Sequence, residues 1–509
     1  MIFSSLTYLF FLPLVVFLYW RTKGSVRMWL LIIASYYFYM SWLPAYGLLL
    51  LGMTVINWVI GEALFKVVNK PEGKKSAAAK ALLALGLALN IGSLFYYKYT
   101  NFIIQTFAGT WNWLCELLTV VTPPALHMQP WDYPVFQILL PLAISFFVFE
   151  FVHYLVDIYR GDKPVSNFTH FMVFSSFFPS QIAGPIKRYQ EFVDQLPKPE
   201  PLTSTLAAEG IGLFIQGLFK KVAIADPIGS LIFPYYGQTT AISGPDAWLA
   251  SIGFVIQVYC DFSAYTDMGR GSALLMGIRL PENFDLPYLA RDISDFWRRW
   301  HMSLSFWLRD YVFIALGGSK KDRWVTWRNL FATMVVCGFW HGVGWHYIIF
   351  GAIQGLGMIV NREWRLLLRS SQWRLFAKQM HFEHRLNNSF FQVLNLLITW
   401  VFIAFTFVVF RAPDMTRAFN IFEGMLSFHG ECQLWEPIIK AGLIPITSVY
   451  LLAWLVTEYV KRHPEPFRFI RDPQLGYKYP FKLATWTAAI ILTIAARPLA
   501  AVPFLYFQF

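Results

Sequence analysis

Uncharged apolar runs of roughly 20 residues, the length that an α-helix needs to cross the hydrocarbon core of a bilayer, recur along this chain. Only 14% of its 509 residues are charged and 56% are hydrophobic. Soluble domains carry about 25% charged residues, so the deficit excludes an ordinary soluble protein. The sequence therefore predicts an all-α polytopic integral membrane protein.

The distribution of charge predicts how the chain threads the membrane. We expect about eleven transmembrane helices, with further re-entrant or interfacial helices, in a single membrane-embedded domain over residues 1–509. The net charge of +12 is interpreted as topology rather than nucleic-acid binding, because basic residues collect in cytoplasmic loops. The nearly charge-free stretch 98–133 is expected to be an outer connector. Predicted cytoplasmic loops are 62–80, 318–328 and 362–385, and the acidic stretch 411–438 is predicted outside.

Residues 293–311 combine an apolar stripe with arginines and a histidine. The apolar side chains recur at the i, i+3, i+4, i+7 spacing of an amphipathic helix, so one continuous helix is predicted. Ser294, Arg298 and Ser305 share one flank of this helix, and His301 lies between that flank and the stripe. Two interpretations stay open: an interfacial helix with its arginines on lipid phosphates, or a helix that presents a functional histidine.

A second histidine, His341, lies in a stretch that has no Asp, Glu, Lys or Arg between Arg328 and Arg362. Both ends of the stretch are basic, and it is too short for two full spans of about 20 residues each. We therefore expect the chain to enter the membrane and return, turning near Gly338, Gly342 and Gly344. The glycines and His341 would alternatively serve helix packing, but an ionisable side chain at that depth is by default a functional hypothesis.

Two motifs carry a specific resemblance. "DFWRRWHMSLSFWLRDY" at 295–311 and "GFWHGVGWHYIIFGAIQG" at 338–355 resemble the membrane-bound O-acyltransferase family, and most of all its bacterial branch of alginate O-acetyltransferases. "PLAISFFVFEFVHYLVDIYRG" (141–161), "GLFKKVAIAD" (217–226) and the terminal "PFLYFQF" (503–509) support it. Relatives that transfer D-alanine to teichoic acids share similar histidine motifs and are the close alternative. Alginate-type relatives often have a further His-Gly where this chain has Gln354-Gly355.

The resemblance implies a fold and an active site. It implies the membrane-bound O-acyltransferase fold, with His341 as general base and His301 as a second functional histidine. Neutral imidazole suits proton transfer near neutral pH, because its unperturbed pKa is about 6.5. Trp297, Trp300 and Trp340 would wall the pocket. The other expected donor-binding or pocket residues are Arg298, Arg299, Ser305 and Asp310.

The resemblance also implies the substrates. The acyl donor would be a cytoplasmic thioester, acetyl-CoA or an acyl carrier, and no permanently bound cofactor or metal is expected. Four scattered cysteines agree with the absence of a zinc site. The acceptor would be an exported polysaccharide such as alginate, reached through separate extracytoplasmic acetyltransferase partners. The chain would lie among the lipids of a bacterial cytoplasmic (inner) membrane.

Two hypotheses from other classes remain open on the sequence. A transporter or channel would use the buried histidines with Asp261 and Asp267 as a proton relay. A protein-lipidating member of the same family would need a long cavity for a fatty acyl chain. The sequence names neither the polysaccharide nor the acyl group.

Overall fold

Helices form most of the computed structural model, which describes residues 1–71, 73–121, 128–240, 242–320, 322–370, 389–427, 429–448 and 450–452. Within these ranges there is no β-strand, and one isolated antiparallel bridge joins Phe284 to Trp300. The all-α prediction is therefore confirmed for this part of the chain. The terminal motif at 503–509 and the part of the basic loop from 371 to 385 lie outside the described residues.

Among the described residues, the first half of the chain forms twelve α-helices. Four of them are preceded by a Ser or Thr whose side chain accepts a hydrogen bond from the backbone N–H three residues later. The twelve are α1 Leu6–Arg21, α2 Gly24–Met40, α3 Ala45–Val68, α4 Ala77–Leu94, α5 Thr100–Val121, α6 Ile144–Arg160, α7 Phe168–Ser176, α8 Phe178–Gln181, α9 Tyr189–Val193, α10 Ser204–Phe219, α11 Asp226–Gly237 and α12 Gly244–Leu274.

In the second half, the two helices that flank His301 have seven residues each, whereas the three that follow them have 19 to 25. Among the described residues, the helices of this half are α13 Ile293–Arg299, α14 Met302–Leu308, α15 Arg323–His341, α16 Trp345–Arg369, α17 Ser389–Arg411, α18 Met415–Ser427 and α19 Trp435–Lys440. Three π-helical turns follow α4, α10 and α14, at Phe95–Tyr99, Lys220–Ala225 and Arg309–Phe313.

Four helical stretches among the described residues are long and apolar enough to cross a membrane: Ala45–Val68, Ala77–Val120, Gly244–Leu274 and Phe390–Arg411. They agree with a multi-pass membrane protein. The total of about eleven spans stays a prediction. Helices that are shorter than a full span of about 20 residues, or more polar than a typical one, are not among these four.

The stretch 98–133, predicted to be an outer connector, is not a simple loop, because Thr100–Val121 form helix α5. The side of the membrane on which it lies stays a prediction. The π-helical turn at Phe95–Tyr99 joins α4 to α5, and the span Ala77–Val120 has 44 residues. A straight helix of that length would be about 66 Å long at 1.5 Å per residue, whereas the hydrocarbon core is about 30 Å thick. The stretch is therefore longer than a single membrane crossing requires. The low charge that suggested a loop is equally typical of a membrane helix.

Two groups of helices position the histidine motifs. The long helix α12 packs against α10, α11, α17 and α18, and almost all of its C-terminal half is buried. Helices α15 and α16 pack against each other more extensively than any other pair in the described part. Helix α6, buried along nearly its whole length, packs against α3 and α4. Its Phe149 ring contacts Trp307 of α14 and Trp340 of α15.

Candidate active site

His301 lies at a break between two helices. Helix α13 ends at Arg299, Trp300 is extended, and His301 has the left-handed backbone angles φ 44° and ψ 55° before α14 begins at Met302. The prediction of one continuous helix over 293–311 is therefore wrong. A left-handed backbone costs about 1–2 kcal/mol in a residue with a β-carbon, so other contacts must stabilise it.

Residues 283–285 supply those contacts. The backbone carbonyl of Asn283 accepts a hydrogen bond from Met302 N (2.9 Å), and its side-chain Oδ1 accepts from Ser303 N (3.2 Å) and Ser303 Oγ (2.6 Å). Asp285 N donates to the Arg299 carbonyl at 3.0 Å. Buried Asn283 thus satisfies backbone groups at the start of α14. We call residues 283–285 with 299–303 the His301 corner.

His341 is the last residue of α15 and precedes the turn Gly342–Gly344 into α16. The two helices run antiparallel and almost touch, because a β-carbon on Gly338 would lie 2.2 Å from the Tyr347 carbonyl oxygen and one on Gly351 would lie 2.3 Å from the Met334 carbonyl oxygen. The predicted turn near the glycines is confirmed, and so is the packing role of Gly338. The depth of this α15–α16 hairpin in the membrane stays a prediction.

The two histidines meet at Trp340. The centroid of the Trp340 ring lies 6.0 Å from that of His301 and 4.8 Å from that of His341. Phe262 meets the His301 ring edge-on at 4.6 Å, and Phe410 meets the His341 ring at 5.2 Å. Both imidazoles are buried, with His301 fully inaccessible and His341 6% exposed. The fold thus brings the two predicted histidines to one aromatic-walled site.

Lys98 was missed by the sequence analysis as a site residue. Its ammonium group donates to the backbone carbonyls of Trp340 (2.7 Å) and His341 (3.2 Å), and the neighbouring Tyr99 hydroxyl donates to the Phe339 carbonyl (2.7 Å). These bonds satisfy carbonyls at the C-terminus of α15, where a cation is also favoured by the helix dipole. The available signal was that Lys98 is the one charged residue between Lys80 and Glu116.

The remaining tryptophans and Ser305 occupy supporting positions. Trp297 Nε1 donates to Gln354 Oε1 at 3.1 Å, and Gln354 Nε2 donates to Thr406 Oγ1 at 2.8 Å, which ties α13 to α16 and α17. The Trp300 ring stacks on Phe296 with centroids 5.4 Å apart. Ser305 donates its hydroxyl to the Trp300 carbonyl at 3.2 Å, so it supports the His301 corner.

The predicted donor-binding arginines carry ion pairs. Arg298, whose side chain is 61% exposed, lies 3.5 Å from Asp295. Arg299 lies 3.0 Å from Asp295 and 3.6 Å from Asp285. Both residues end α13, where positive charge is favoured by the helix dipole.

A second basic group surrounds Asp310, and we call Arg160, Arg188 and Arg309 the arginine cluster. Arg309 Nε donates to Asp310 Oδ1 at 2.7 Å, Arg188 donates to Oδ2, and Arg160 donates to the Asp310 carbonyl at 3.0 Å. Partial burial would raise the pKa of Asp310, but the hydrogen bonds and charges of Arg309 and Arg188 hold it below its usual range. Asp310 therefore organises three guanidinium groups with a net positive charge.

Helix α6 connects the arginine cluster to the histidines. Its Phe149 ring stacks on Trp340 (5.1 Å between centroids) and on Trp307 (4.1 Å). Eight residues later, about 12 Å along the helix axis, Asp157 accepts a hydrogen bond from Tyr311 in the turn that contains Asp310 (2.7 Å).

A buried histidine lies midway along this face of α6. His153 lies between the rings of Tyr189 and Tyr311, at 6.2 and 6.0 Å between centroids, and its Nε2 has no hydrogen-bond partner among the described residues. A turn earlier, Glu150 forms a buried ion pair with Lys187 at 2.6 Å. Among the described residues, no three His, Cys, Asp or Glu side chains are grouped to hold a metal ion.

Comparison with known proteins places these features in a family. Residues 163–408 match the model of the membrane-bound O-acyltransferase family. The chain is 38% identical over 462 residues to the probable alginate O-acetylase of Pseudomonas aeruginosa, covering 90% of this chain and 81% of that protein. It is 32% identical to the peptidoglycan O-acetyltransferase of Helicobacter pylori, covering 79% and 74%. It is 29% identical to the teichoic acid D-alanyltransferase of Streptococcus thermophilus, covering 65% and 83%.

Proposed function

This chain belongs to the membrane-bound O-acyltransferase family and is an O-acyltransferase, and from that premise we propose the reaction that it catalyses. It transfers an acetyl group from acetyl-CoA, which approaches from the cytoplasm, towards the hydroxyl groups of an exported polysaccharide, a class that includes alginate. Acetyl is preferred over D-alanyl because two relatives with names of O-acetylation match at 38% and 32% identity, against 29% for the D-alanyltransferase.

The observation that carries the proposal is the pair of buried histidines on either side of Trp340. His341 acts as general base and removes the proton of the hydroxyl that receives the acetyl group from this chain, which a separate extracytoplasmic partner would carry. The hydroxyl oxygen attacks the thioester carbonyl carbon. The tetrahedral intermediate then collapses, so that the C–S bond breaks as the C–O ester bond remains. The proton passes from His341 to the departing thiolate. General base catalysis of this type contributes about 10²–10⁴-fold in rate.

His301 supports the charge that develops on the carbonyl oxygen or orients the donor. Its ring lies in a site walled by Trp340 and Phe262, from which bulk water is excluded by packing. Low polarity strengthens each dipole directed at the oxyanion and protects the thioester from hydrolysis.

The path for the donor follows α6. The phosphates of coenzyme A would bind the arginine cluster through charge-assisted hydrogen bonds, with Arg298 and Arg299 as further contacts at the same entrance. The pantetheine arm would pass His153, whose Nε2 has no partner in the described structure and is able to bond an amide of the arm. The thioester would then reach Trp340 and His341.

The acceptor lies across a bacterial cytoplasmic membrane from this donor. Acetyl groups would pass to separate extracytoplasmic acetyltransferase partners, which complete transfer to the polymer. The transporter hypothesis is wrong, since the chain is an O-acyltransferase. Asp267 and Asp261, which that hypothesis used as a relay, instead neutralise Lys220 and Lys221, each at 2.7 Å.

Inverted membrane vesicles from polymer-producing cells test the donor and the direction together. Acetyl-CoA labelled in its acetyl group is added outside the vesicles, and ester-linked label is measured on the enclosed polymer. Wild-type vesicles should accumulate label, and vesicles with His341→Ala should not. His346→Ala, on the same hairpin, is the matched control that should behave as wild type. No label from acetyl-CoA in wild-type vesicles, with label incorporated instead when a D-alanyl carrier labelled in its alanyl group is added, would contradict the acetyl proposal.

A further inference from the structure

The last turn of α15 takes hydrogen-bond donors from another part of the chain. The carbonyls of Phe339, Trp340 and His341 lie at the C-terminus of α15, and the backbone N–H groups four residues later lie beyond the end of the helix. Gly342, which follows the helix, has an extended backbone with φ −160° and ψ 173°. The helix therefore does not end in the common closure by a left-handed glycine, which would supply donors to such carbonyls.

Two consecutive residues of the π-helical turn between α4 and α5 replace those donors. The ammonium of Lys98 donates to the carbonyls of Trp340 (2.7 Å) and His341 (3.2 Å), and the hydroxyl of Tyr99 donates to the Phe339 carbonyl (2.7 Å). The Tyr99 ring also stacks on Phe339, with centroids 4.2 Å apart. Turns of π-helix are rare in proteins and often occur at functional sites. One such turn here satisfies all three carbonyls.

Lys98 carries its charge in an apolar stretch. The span Ala77–Val120 has 44 residues, and Lys98 is the one charged residue between Lys80 and Glu116. Among the described residues, its ammonium forms no ion pair with a carboxylate, and its two hydrogen bonds go to α15. A charged group within a membrane span is costly, and a functional role is the default hypothesis for it.

The position of the ammonium explains why a charge-bearing side chain is used there. A neutral hydroxyl suffices for the Phe339 carbonyl on the same turn, and it costs less than an ammonium in an apolar environment. The two carbonyls that Lys98 binds lie on either side of the His341 α-carbon. One donor bonded to both restricts φ and ψ of His341, and these angles set the direction in which its side chain leaves the backbone.

We propose that Lys98 is a positioning residue for acyl transfer, which holds the His341 imidazole in the orientation that the reaction needs. The inference rests on the proposed function for the role of His341 as general base, and it adds a residue that the proposed mechanism does not use. A general base must lie within hydrogen-bond reach, about 2.6–3.2 Å between heavy atoms, of the group that it deprotonates. His341 is the last residue of its helix, and helix ends fray unless they are fixed.

Three substitutions on the π-helical turn separate positioning from stability. Lys98→Met removes the ammonium at similar side-chain length, and Lys98→Arg keeps a positive charge and donors that can cap a helix C-terminus. Tyr99→Phe is the matched control, because it removes one donor from the same helix end and keeps the stacked ring. Inverted membrane vesicles receive labelled acetyl-CoA over a range of concentrations. Initial rates, divided by the amount of folded protein measured by size-exclusion chromatography, give kcat and the KM for the donor.

The expected result is a loss of rate without a loss of donor binding. Lys98→Met should lower kcat by roughly 10–100-fold, because a displacement of about 1 Å costs up to about 100-fold in rate. The KM for acetyl-CoA should stay near that of wild type, because the arginine cluster is unchanged. Lys98→Arg should recover most of the rate. Tyr99→Phe should keep kcat close to wild type and lower only the unfolding temperature, since its partner carbonyl does not flank the His341 α-carbon.

Four outcomes would overturn the proposal. They are an unchanged kcat in Lys98→Met, a rate in Lys98→Arg as low as in Lys98→Met, a loss of activity that only follows the loss of folded protein, and an equal fall of kcat in Tyr99→Phe. If Lys98→Met does not fold, Lys98→Gln takes its place. The neutral amide is one bond shorter than the lysine side chain, so the same fall of kcat is expected, and an unchanged kcat would again overturn the proposal.

His341→Ala distinguishes this inference from the proposed function. Label transfer that persists in His341→Ala would count against the proposed function, whatever the result for Lys98→Met. No transfer in His341→Ala, together with a wild-type kcat in Lys98→Met, would count against the positioning role of Lys98 alone.

Discussion

The His301 corner and the α15–α16 hairpin bring their histidines to the same tryptophan by opposite means. At the corner, the left-handed residue His301 is stabilised because the N–H and hydroxyl of Ser303 donate hydrogen bonds to Asn283 Oδ1. At the hairpin, two helices touch through glycines and leave no space for a β-carbon at Gly338 or Gly351. The corner therefore depends on polar partners and the hairpin on the absence of side chains. We expect different substitutions to destabilise the two regions.

The largest effect is expected at the hairpin histidine. His341→Ala should lower acetyl transfer by about 10²–10⁴-fold, because it removes the general base. The amount of folded protein should stay near that of wild type, since the hairpin is held by backbone packing. Acetyl content of the polymer, measured at equal expression, checks this. A larger loss in His301→Ala than in His341→Ala would exchange the roles of the two histidines.

Stability should respond most strongly where the helices touch. Gly338→Ala should destabilise the protein by roughly 1–3 kcal/mol, because its β-carbon would overlap the Tyr347 carbonyl. Gly92→Ala, whose β-carbon meets open space, should stabilise it by up to about 1 kcal/mol through helix propensity. Thermal unfolding in detergent compares the two. A shift of the same sign in both variants would contradict the packing description of the hairpin.

At the corner, the polar partner should matter more than volume. Asn283→Ala leaves the Ser303 N–H and hydroxyl without their acceptor, which costs about 1–3 kcal/mol for buried groups. We expect kcat to fall by roughly tenfold as His301 loses its position, with the KM for the donor unchanged. Steady-state kinetics on purified protein measures both. A rise in KM with normal kcat would place Asn283 at the donor instead.

The left-handed backbone of His301 predicts a smaller difference in stability, in which the glycine variant is more stable than the alanine variant. His301→Gly should be more stable than His301→Ala by about 1 kcal/mol, because only glycine adopts the left-handed backbone without a penalty. Both variants should be poorly active, since both lack the imidazole. Unfolding midpoints of the two proteins decide the point. Equal midpoints would mean that the corner relaxes once the imidazole is removed.

The smallest effects are expected at the arginines. Arg188→Ala should raise the KM for acetyl-CoA several-fold, because it removes one of three guanidinium groups around Asp310. Arg298→Ala should change it less, since exposed ion pairs are worth about 0–1 kcal/mol. Initial rates over a range of donor concentration test both. Equal loss of folded protein and activity in either variant would indicate a structural role.

The sequence predicted the parts of the site that depend on local pattern. The two histidine motifs and the turn at Gly342–Gly344 were identified because charge and glycine are conspicuous in an apolar chain. The break at His301 was not predicted, because a helical wheel shows only the spacing of residues within 293–311. The break depends on Asn283, which is eighteen residues before His301 and accepts the hydrogen bond of Ser303 N that a continuous helix would use. Lys98 was assigned to a connector because loop and membrane helix have the same low charge. Its partners, the carbonyls of Trp340 and His341, are long-range contacts.

The glycine contact of the α15–α16 hairpin limits which substitutions the protein can accept near its histidine site. A surface with no room for a β-carbon accepts almost no substitution, so the hairpin is a poor starting point for changing substrate preference in the laboratory. A β-carbon on Gly109 of α5, by contrast, would meet nothing within 4 Å. Libraries of variants of this protein should therefore keep the glycines of the hairpin constant.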